Sequence, residues 1–386
     1  MARNRVIYQS EGLFVSKDAS LGAKEDHEQL GRVQSANYSF TINRQDVNQF
    51  GDLARIDSLV LDPPTVSLDF SYYLADGFNE RALGFFVQNS GGANTERGGG
   101  ATAYSEGNFA SGHLVANSGV NFFILTSPDG EDLNKAGAGQ APDSSDTVIG
   151  VGNCYISDYT VDLSVGALPT VNVTVEGANM NSVASSATTG SPAVNQEAGT
   201  SINRNIQLPN PTKDGGITGV VGNAAITALR PGDVTLDLSN VDGESLVKID
   251  GADGAHVQSA SISLPLSRTP IDRLGSRFPF AREVDFPVNA TLNVSAVVND
   301  SASQDLADIL NSGAQTATIT VKDSTTDSND AIKYTMKGLR IDSQSFSSSI
   351  GSNKTVDITF STQIGGPNDE DNGVFMSGCG ATTVFQ

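Results

Sequence analysis

The sequence has no tryptophan, two cysteines and three histidines. Two cysteines, Cys154 and Cys379, exclude a scaffold built on disulfides. Cys154 is expected to be a small buried residue, and Cys379, in SGCGATT, an exposed one. His27, His113 and His256 are far apart in what read as three unrelated loops. None belongs to an H-E-x-x-H pattern, and the G-x-S-x-G, Walker A and C-x-x-C patterns are missing as well. A serine triad or a zinc site would have to assemble without any local signal. The expectation is therefore a protein that is not an enzyme, with no metal and no cofactor.

Basic residues are scarce. The chain has 23 Lys and Arg against 44 Asp and Glu, a formal net charge of −21. That argues against nucleic-acid binding by phosphate neutralisation and against docking on anionic lipid. Nothing approaches 18 consecutive apolar residues, so no membrane-spanning helix is expected. MARNRVIYQSEG has no apolar core of a secretory signal, so a soluble, cytosolically made chain is expected. The acidic stretches PNDEDNG (367–373) and DGADG (250–254) lack the closing Glu of a calcium loop and read as solvated loops. KAGAGQ (135–140) has no strand–helix pair to make it a phosphate cradle.

What the chain does have is short β-branched runs separated by Gly, Ser, Thr, Asn and Asp, a composition that predicts an all-β fold. It also has a repeat. Residues 33–76 recur at 257–300 without a gap, an offset of 224, with Val33/Val257, Ser35/Ser259, Arg44/Arg268, Gly51/Gly275, Pro63/Pro287 and Asp76/Asp300 identical. Residues 156–177 resemble 341–362 at an offset of 185, placing Gly166 on Gly351. The difference of 39 (224 − 185) predicts an insertion in the first copy between 76 and 156, for which the Gly-rich stretch near 89–120 is the candidate. The predicted organisation is a first domain at 1–180, a Ser/Thr/Gly-rich connector at 181–230, a second domain at 231–365 and an acidic tail at 366–386.

Alternation predicts half-buried strands over Ala36–Ile42, with Tyr38, Phe40 and Ile42 inward, and over Thr65–Leu74, with Val66, Leu68, Phe70, Tyr72 and Leu74 inward. Further strands are predicted at Val120–Ser127, Cys154–Val165, Thr170–Glu176 and Asp233–Leu238. One short helix per copy is predicted, after Asp76 and after Asp300, the second with Leu306, Ile309 and Leu310 on one face. The stretch 43–64 is long for a hairpin connection but rich in apolar residues, and its partner 267–288 has the same length.

The order of elements, with PPTVSLDFSYYLADGFNERALGFF and the closing SDYTVDLSVGALPTVNVTVEG, resembles the major tail tube proteins of tailed bacteriophages, here in a tandem-duplicated form. The resemblance implies two tandem β-sandwich or small-barrel domains whose inner sheets join into one barrel. It implies homotrimeric rings with pseudo-sixfold symmetry, stacked into a tube that conducts DNA. The location would be the virion tail, assembled in the host cytoplasm, and the partners other copies of the chain, passing double-stranded DNA and other tail proteins. On this reading the polar face of the inner strands, with Asp69, Asp158, Asp162, Glu176 and Asp357, lines the lumen. The long loops, with Arg44, Phe50, Leu53, Ile56, Leu274, Phe278 and Phe280, make contacts between rings. A phage adhesin or receptor-binding protein would also be acidic, β-rich and duplicated, but such proteins more often carry exposed aromatic clusters at their loop tips, where this chain has Gly, Ser and Asn. A capsid decoration protein is a further alternative.

Overall fold

The computed structural model of the chain describes residues 11–16, 27–61, 63–89, 107–115, 119–127, 133, 146–184, 208–209, 211, 229–230, 232, 234–238, 245–247, 255–272, 274, 279, 281–299, 306, 309, 313–322, 330–366 and 369–378. The first half of the chain holds β1 (Glu11–Ser16), β2 (His27–Gln29), β3 (Val33–Thr41), β4 (Arg44–Val47), β5 (Asp57–Val60), β6 (Thr65–Tyr73), α1 (Phe78–Ala82), β7 (Gln88–Asn89), α2 (Ser111–Val115), β8 (Val120–Thr126), β9 (Thr147–Ser164), β10 (Thr170–Gly177) and β11 (Asn179–Ala184). The second half holds β12 (Val234–Asp237), β13 (His256–Pro265), β14 (Arg268–Ile271), β15 (Ala281–Val284), β16 (Asn289–Val297), β17 (Gln315–Lys322), β18 (Asp330–Ser347), β19 (Thr355–Gln363) and β20 (Gly373–Gly378). The fold is all-β, as the composition implies.

Eight strands form a central layer in the order β3-β6-β10-β9-β13-β16-β19-β18. The first four come from the first half and the last four from the second. They join through the antiparallel pair β9·β13, in which Val161 faces Ile262 and Thr160 faces Ser263. The pairings of the two halves correspond residue for residue. Tyr38↔Leu68 and Asn37↔Asp69 become Ile262↔Leu292 and Ser261↔Asn293 at the offset of 224. Both ladders skip one residue at the same place, Gln34 and Gln258. Each of these glutamines turns its side-chain amide back to donate to the carbonyl two residues earlier, that of Arg32 or His256. In β9·β10 and β18·β19 the skipped residues, Ser157 and Asp342, are 185 apart. So are the turn glycines Gly166 and Gly351, with φ of 83° and 89°, a left-handed conformation that costs glycine little.

Strands β9 and β18 are each 18 residues long and belong to two sheets. Their C-terminal parts lie in the central layer. Their N-terminal parts lie in second sheets, β2-β1-β8-β9-β11 in the first half and β12-β17-β18-β20-β7 in the second. A strand that changes sheets needs a corner. Both corners fall at a residue with positive φ, Asn153 at 53° and Gly338 at 72°, again 185 apart. The core lies between the layers. Leu68, Phe70, Tyr72, Phe122, Val161 and Val173 share one buried cluster with Ile262, Leu292, Ile319, Tyr334 and Phe360. At about 1.5–3 kcal/mol per fully buried side chain of this kind, the cluster is the main stabilising element.

Several expectations are corrected. The insertion is split. The match of β8·β9 to β17·β18 puts Phe122 on Ala317, an offset of 195. Hence 29 residues (224 − 195) enter before β8 and 10 (195 − 185) in the hairpin after it. The acidic tail contains a strand: β20 lies beside β18 where β11 lies beside β9. The 39-residue excess does more than decorate a loop, because β7 pairs with β20 and the Phe109 N–H donates to the Val374 carbonyl at 2.7 Å.

The helix after Asp76 is five residues long and buried all round, because it lies against the core. Its N-cap is Gly77, in the left-handed region. Asp76 accepts the Phe78 N–H from one position further out, at 3.2 Å. In the second helical stretch Leu306 is exposed and Ile309 half-buried; Asp300 and Leu310 lie outside the described residues. His27 is in β2, His113 in α2 and His256 opens β13, so none is in a loop. Cys154 is a buried free thiol inside β9, and Cys379 is outside the described residues. In the connector, of residues 201–208 only Leu208 is described, and it is buried.

Candidate functional site

Alternation gives the central layer one apolar and one polar face. In β6, Val66, Leu68, Phe70 and Tyr72 are buried while Thr65 and Asp69 are exposed, with Ser67 and Ser71 between. The registers carry that face across all eight strands. Asp69 faces Thr174, which faces Asp158. Asp162 lies between Thr170 and Ser261, Glu176 between Ser67 and Tyr155, and Asp357 between Ser295 and Ser345. All five expected acidic residues thus share one face, away from the core.

Side chains on this face bond across the strands rather than projecting singly. Asn172 Nδ2 donates to Asp162 Oδ2 at 2.9 Å, and Thr359 Oγ1 to Asn293 Oδ1 at 3.0 Å. The hydroxyls of Ser35 and Ser71 are 2.7 Å apart, and those of Ser39 and Ser67 2.9 Å apart. Thr160 Oγ1 donates to Asp158 Oδ2 at 3.0 Å. Partial burial pushes the Asp158 carboxyl up, and the Thr160 bond opposes this. Within the central layer, where β18 contributes residues 340–347, the strands carry one arginine, Arg340, and no lysine. The result is a broad, weakly acidic hydroxyl surface.

The two ends of the central layer are β3 and residues 340–347 of β18. Among the described residues, no strand pairs with the outer side of either. Here the expected burial fails. Phe40 is 60 % exposed and Ile42 38 %, while their counterparts Leu264 and Leu266 are buried. The pattern that predicts an inward face is correct about direction. The core stops at the edge, so among the described residues no neighbouring strand covers those side chains.

The stretches 43–64 and 267–288 form the hairpins β4·β5 and β14·β15, each a separate two-stranded arm. In the first arm Phe50 and Leu53 are fully exposed, Ile56 is exposed, and Arg44 is solvent-facing. Arg55 is held to Asp46 at 2.9 Å. The second arm exposes Leu274 but rests on the first half of the chain; Phe278 and Phe280 lie outside the described residues. Arg268 lies over the Tyr155 ring at 4.7 Å and donates to the His113 carbonyl. Arg282 lies 5.7 Å from the same ring and 3.7 Å from Glu176.

A buried polar cluster at the meeting of the halves has no counterpart in the sequence reading. Tyr72 Oη donates to Glu80 Oε1 at 2.9 Å and Tyr159 Oη to the same oxygen at 3.3 Å. Burial pushes the Glu80 carboxyl up to about 7, against the two hydroxyl bonds. Glu80 sits in a segment whose spacing is apolar, and no local pattern singles it out. Among the described residues no group of His, Cys, Asp and Glu is placed to hold a metal ion, and no helix is long and apolar enough to cross a membrane.

Comparison with protein-family models gives no match, and comparison with curated proteins gives no significant similarity.

Proposed function

We propose that this chain is a structural protein that polymerises into a bacteriophage tail tube, and that its two halves are tandem tail-tube-like domains. One observation carries the reading: both halves contribute four strands each, in the same order and register, to one layer with a continuous polar, acidic face. Among the described residues, such a layer has two unpaired ends of the same kinds that are already joined in its middle. A head-to-tail contact of this type generates a closed ring or an open helix, and closure removes the exposed edges.

Three chains would bring about 24 strands. At ~4.8 Å spacing and ~40° tilt the circumference is about 150 Å, leaving a bore of roughly 40 Å after side chains. That is wider than duplex DNA. An acidic hydroxyl wall repels phosphate weakly, and with a Debye length of about 8 Å the repulsion fades before mid-channel. DNA would then pass without sticking.

Negative-stain electron microscopy of the purified protein tests this. Open rings or tubes with a central bore are expected. Monomers alone, or compact knobs without a bore, overturn the reading.

A further inference from the structure

The internal junction β9·β13 is a template on which the two outer ends of the layer can be compared. Along β3 and the turn after it, VQSANYSFTIN (33–43) has no charged residue; along the end of β18 and its turn, SQSFSSSIGSN (343–353) has none either. Unpaired strand edges in soluble proteins are commonly guarded by charge, proline or bulges. Beyond the skipped residues Gln34 and Asp342, both edges lack charge, proline and bulges, so in a chain of net charge −21 they are edges left open to pairing.

We infer that residues 343–349 of one chain pair antiparallel with residues 35–41 of a second copy, in the register of β9·β13, placing Tyr38 against Phe346 and Ser39 against Ser345. This rests on the tube reading and adds the atomic contact to it. The register follows from the repeat offsets. Ile262↔Val161 maps to Tyr38↔Phe346, Ser263↔Thr160 to Ser39↔Ser345, Ser261↔Asp162 to Asn37↔Ser347, and Leu264↔Tyr159 to Phe40↔Gln344.

The chemistry fits at three of these pairs; at the fourth, Phe40 would lie beside Gln344, whose amide is already bonded to Ser245 and Leu246. On the polar face, hydroxyls and an amide meet hydroxyls, so the Asp162 and Asp158 of the internal junction have no charged equivalent at the contact. On the core face, Ile262 and Val161 are fully buried, whereas Phe346 is 43 % exposed and Phe40 60 %. Pairing would bury the Tyr38 and Phe346 rings against each other, a combination that stabilises directly opposed strands. Lys354, whose Nζ is 5.0 Å from the Phe346 ring centre, flanks the pair.

Disulfide trapping tests the register. A chain carrying Ser39→Cys, Ser345→Cys and Cys379→Ser would be assembled, oxidised and run on a non-reducing denaturing gel. Directly opposed residues on antiparallel strands lie within disulfide reach, so covalent multimers are expected for most chains. The pair Ser35→Cys with Ser345→Cys is four residues out of register, about 13 Å apart along the strand, and should give at least about tenfold less. Circular dichroism matching wild type shows that both variants fold. If rings form but the second pair cross-links as well as the first, or neither cross-links, the register is wrong and the tube reading stands. If no rings form from the wild-type chain, both fall.

Discussion

The hydroxyls of Tyr159 and Tyr334 lie 2.9 Å apart, fully buried, and come from different halves of the chain. Because Tyr159 donates to Glu80, Tyr334 is left to donate to Tyr159, so the bonds run in one direction toward a single carboxylate. Tyr334→Phe removes the last donor and leaves the Tyr159 oxygen under-satisfied. A loss of about 1–2 kcal/mol is expected, read as a lower urea midpoint with an unchanged slope.

The same carboxylate makes stability depend on pH. Glu80 is raised from 4.5 to about 7 in the folded chain, so between these values the native state binds more proton than the unfolded one. Its contribution is therefore full below about pH 4.5 and is lost as pH rises through about 7. The difference amounts to about 3 kcal/mol. Urea unfolding at pH 5 and pH 7.5 should show this loss in wild type relative to Glu80→Gln, whose amide carbonyl keeps an acceptor for both tyrosines. Equal pH dependence in the two proteins would remove Glu80 from the account.

The first arm exposes apolar side chains, Phe50, Leu53 and Ile56, that no described residue covers. Phe50→Ser with Ile56→Ser should leave the unfolding free energy within about 0.5 kcal/mol of wild type, as expected for exposed sites. Analytical ultracentrifugation should show loss of the longest assemblies. A variant that unfolds instead would make the arm part of the core.

Reversing charge on the polar face probes its relation to DNA. Asp69→Lys with Asp162→Lys should fold and assemble as wild type, since Asp69 and Asp162 are exposed. Tubes of the variant should retain duplex DNA at low salt and release it as salt rises, the mark of phosphate neutralisation. Wild-type tubes should retain none. Retention confined to outer surfaces in micrographs would place these side chains on the wrong side of the wall.

The two corners predict opposite tolerances. At Gly338 a Cβ would stand 2.3 Å from the Asn372 Oδ1 at a positive φ, so Gly338→Ala should cost about 1–3 kcal/mol. Asn153→Gly should be close to neutral, because glycine adopts that conformation readily. Thermal denaturation of the two variants side by side decides this.

Much of the central layer is legible in the sequence, because period-two alternation in β6, β10 and β16 is what burial of one face demands. The repeat offsets reveal more than alternation does, since a skipped residue such as Gln34 is preserved with its partner Gln258. Where reading along the chain fails, the cause is contact at a distance. Phe40 reads as core because alternation cannot tell an edge strand from a central one. The tail reads as loop because β20 is defined by β18, some forty residues away. Glu80 is invisible because its meaning depends on Tyr72, Tyr159 and the hydroxyl of Tyr334 beyond it. The acidic face lies between these cases: each strand shows its polar side, but only the registers put Asp69, Asp158 and Asp162 on one surface.

The junction between β9 and β13 has a kinetic consequence. A contact formed within one chain at folding waits for no collision, because its strands are held at high effective concentration by the connecting segment. In a ring of three such chains, half of the six edge contacts would exist before any two molecules met. Nucleation would then depend on the third power of concentration rather than the sixth. A cell making the protein slowly could close its first ring at a dilution where separate halves would rarely gather.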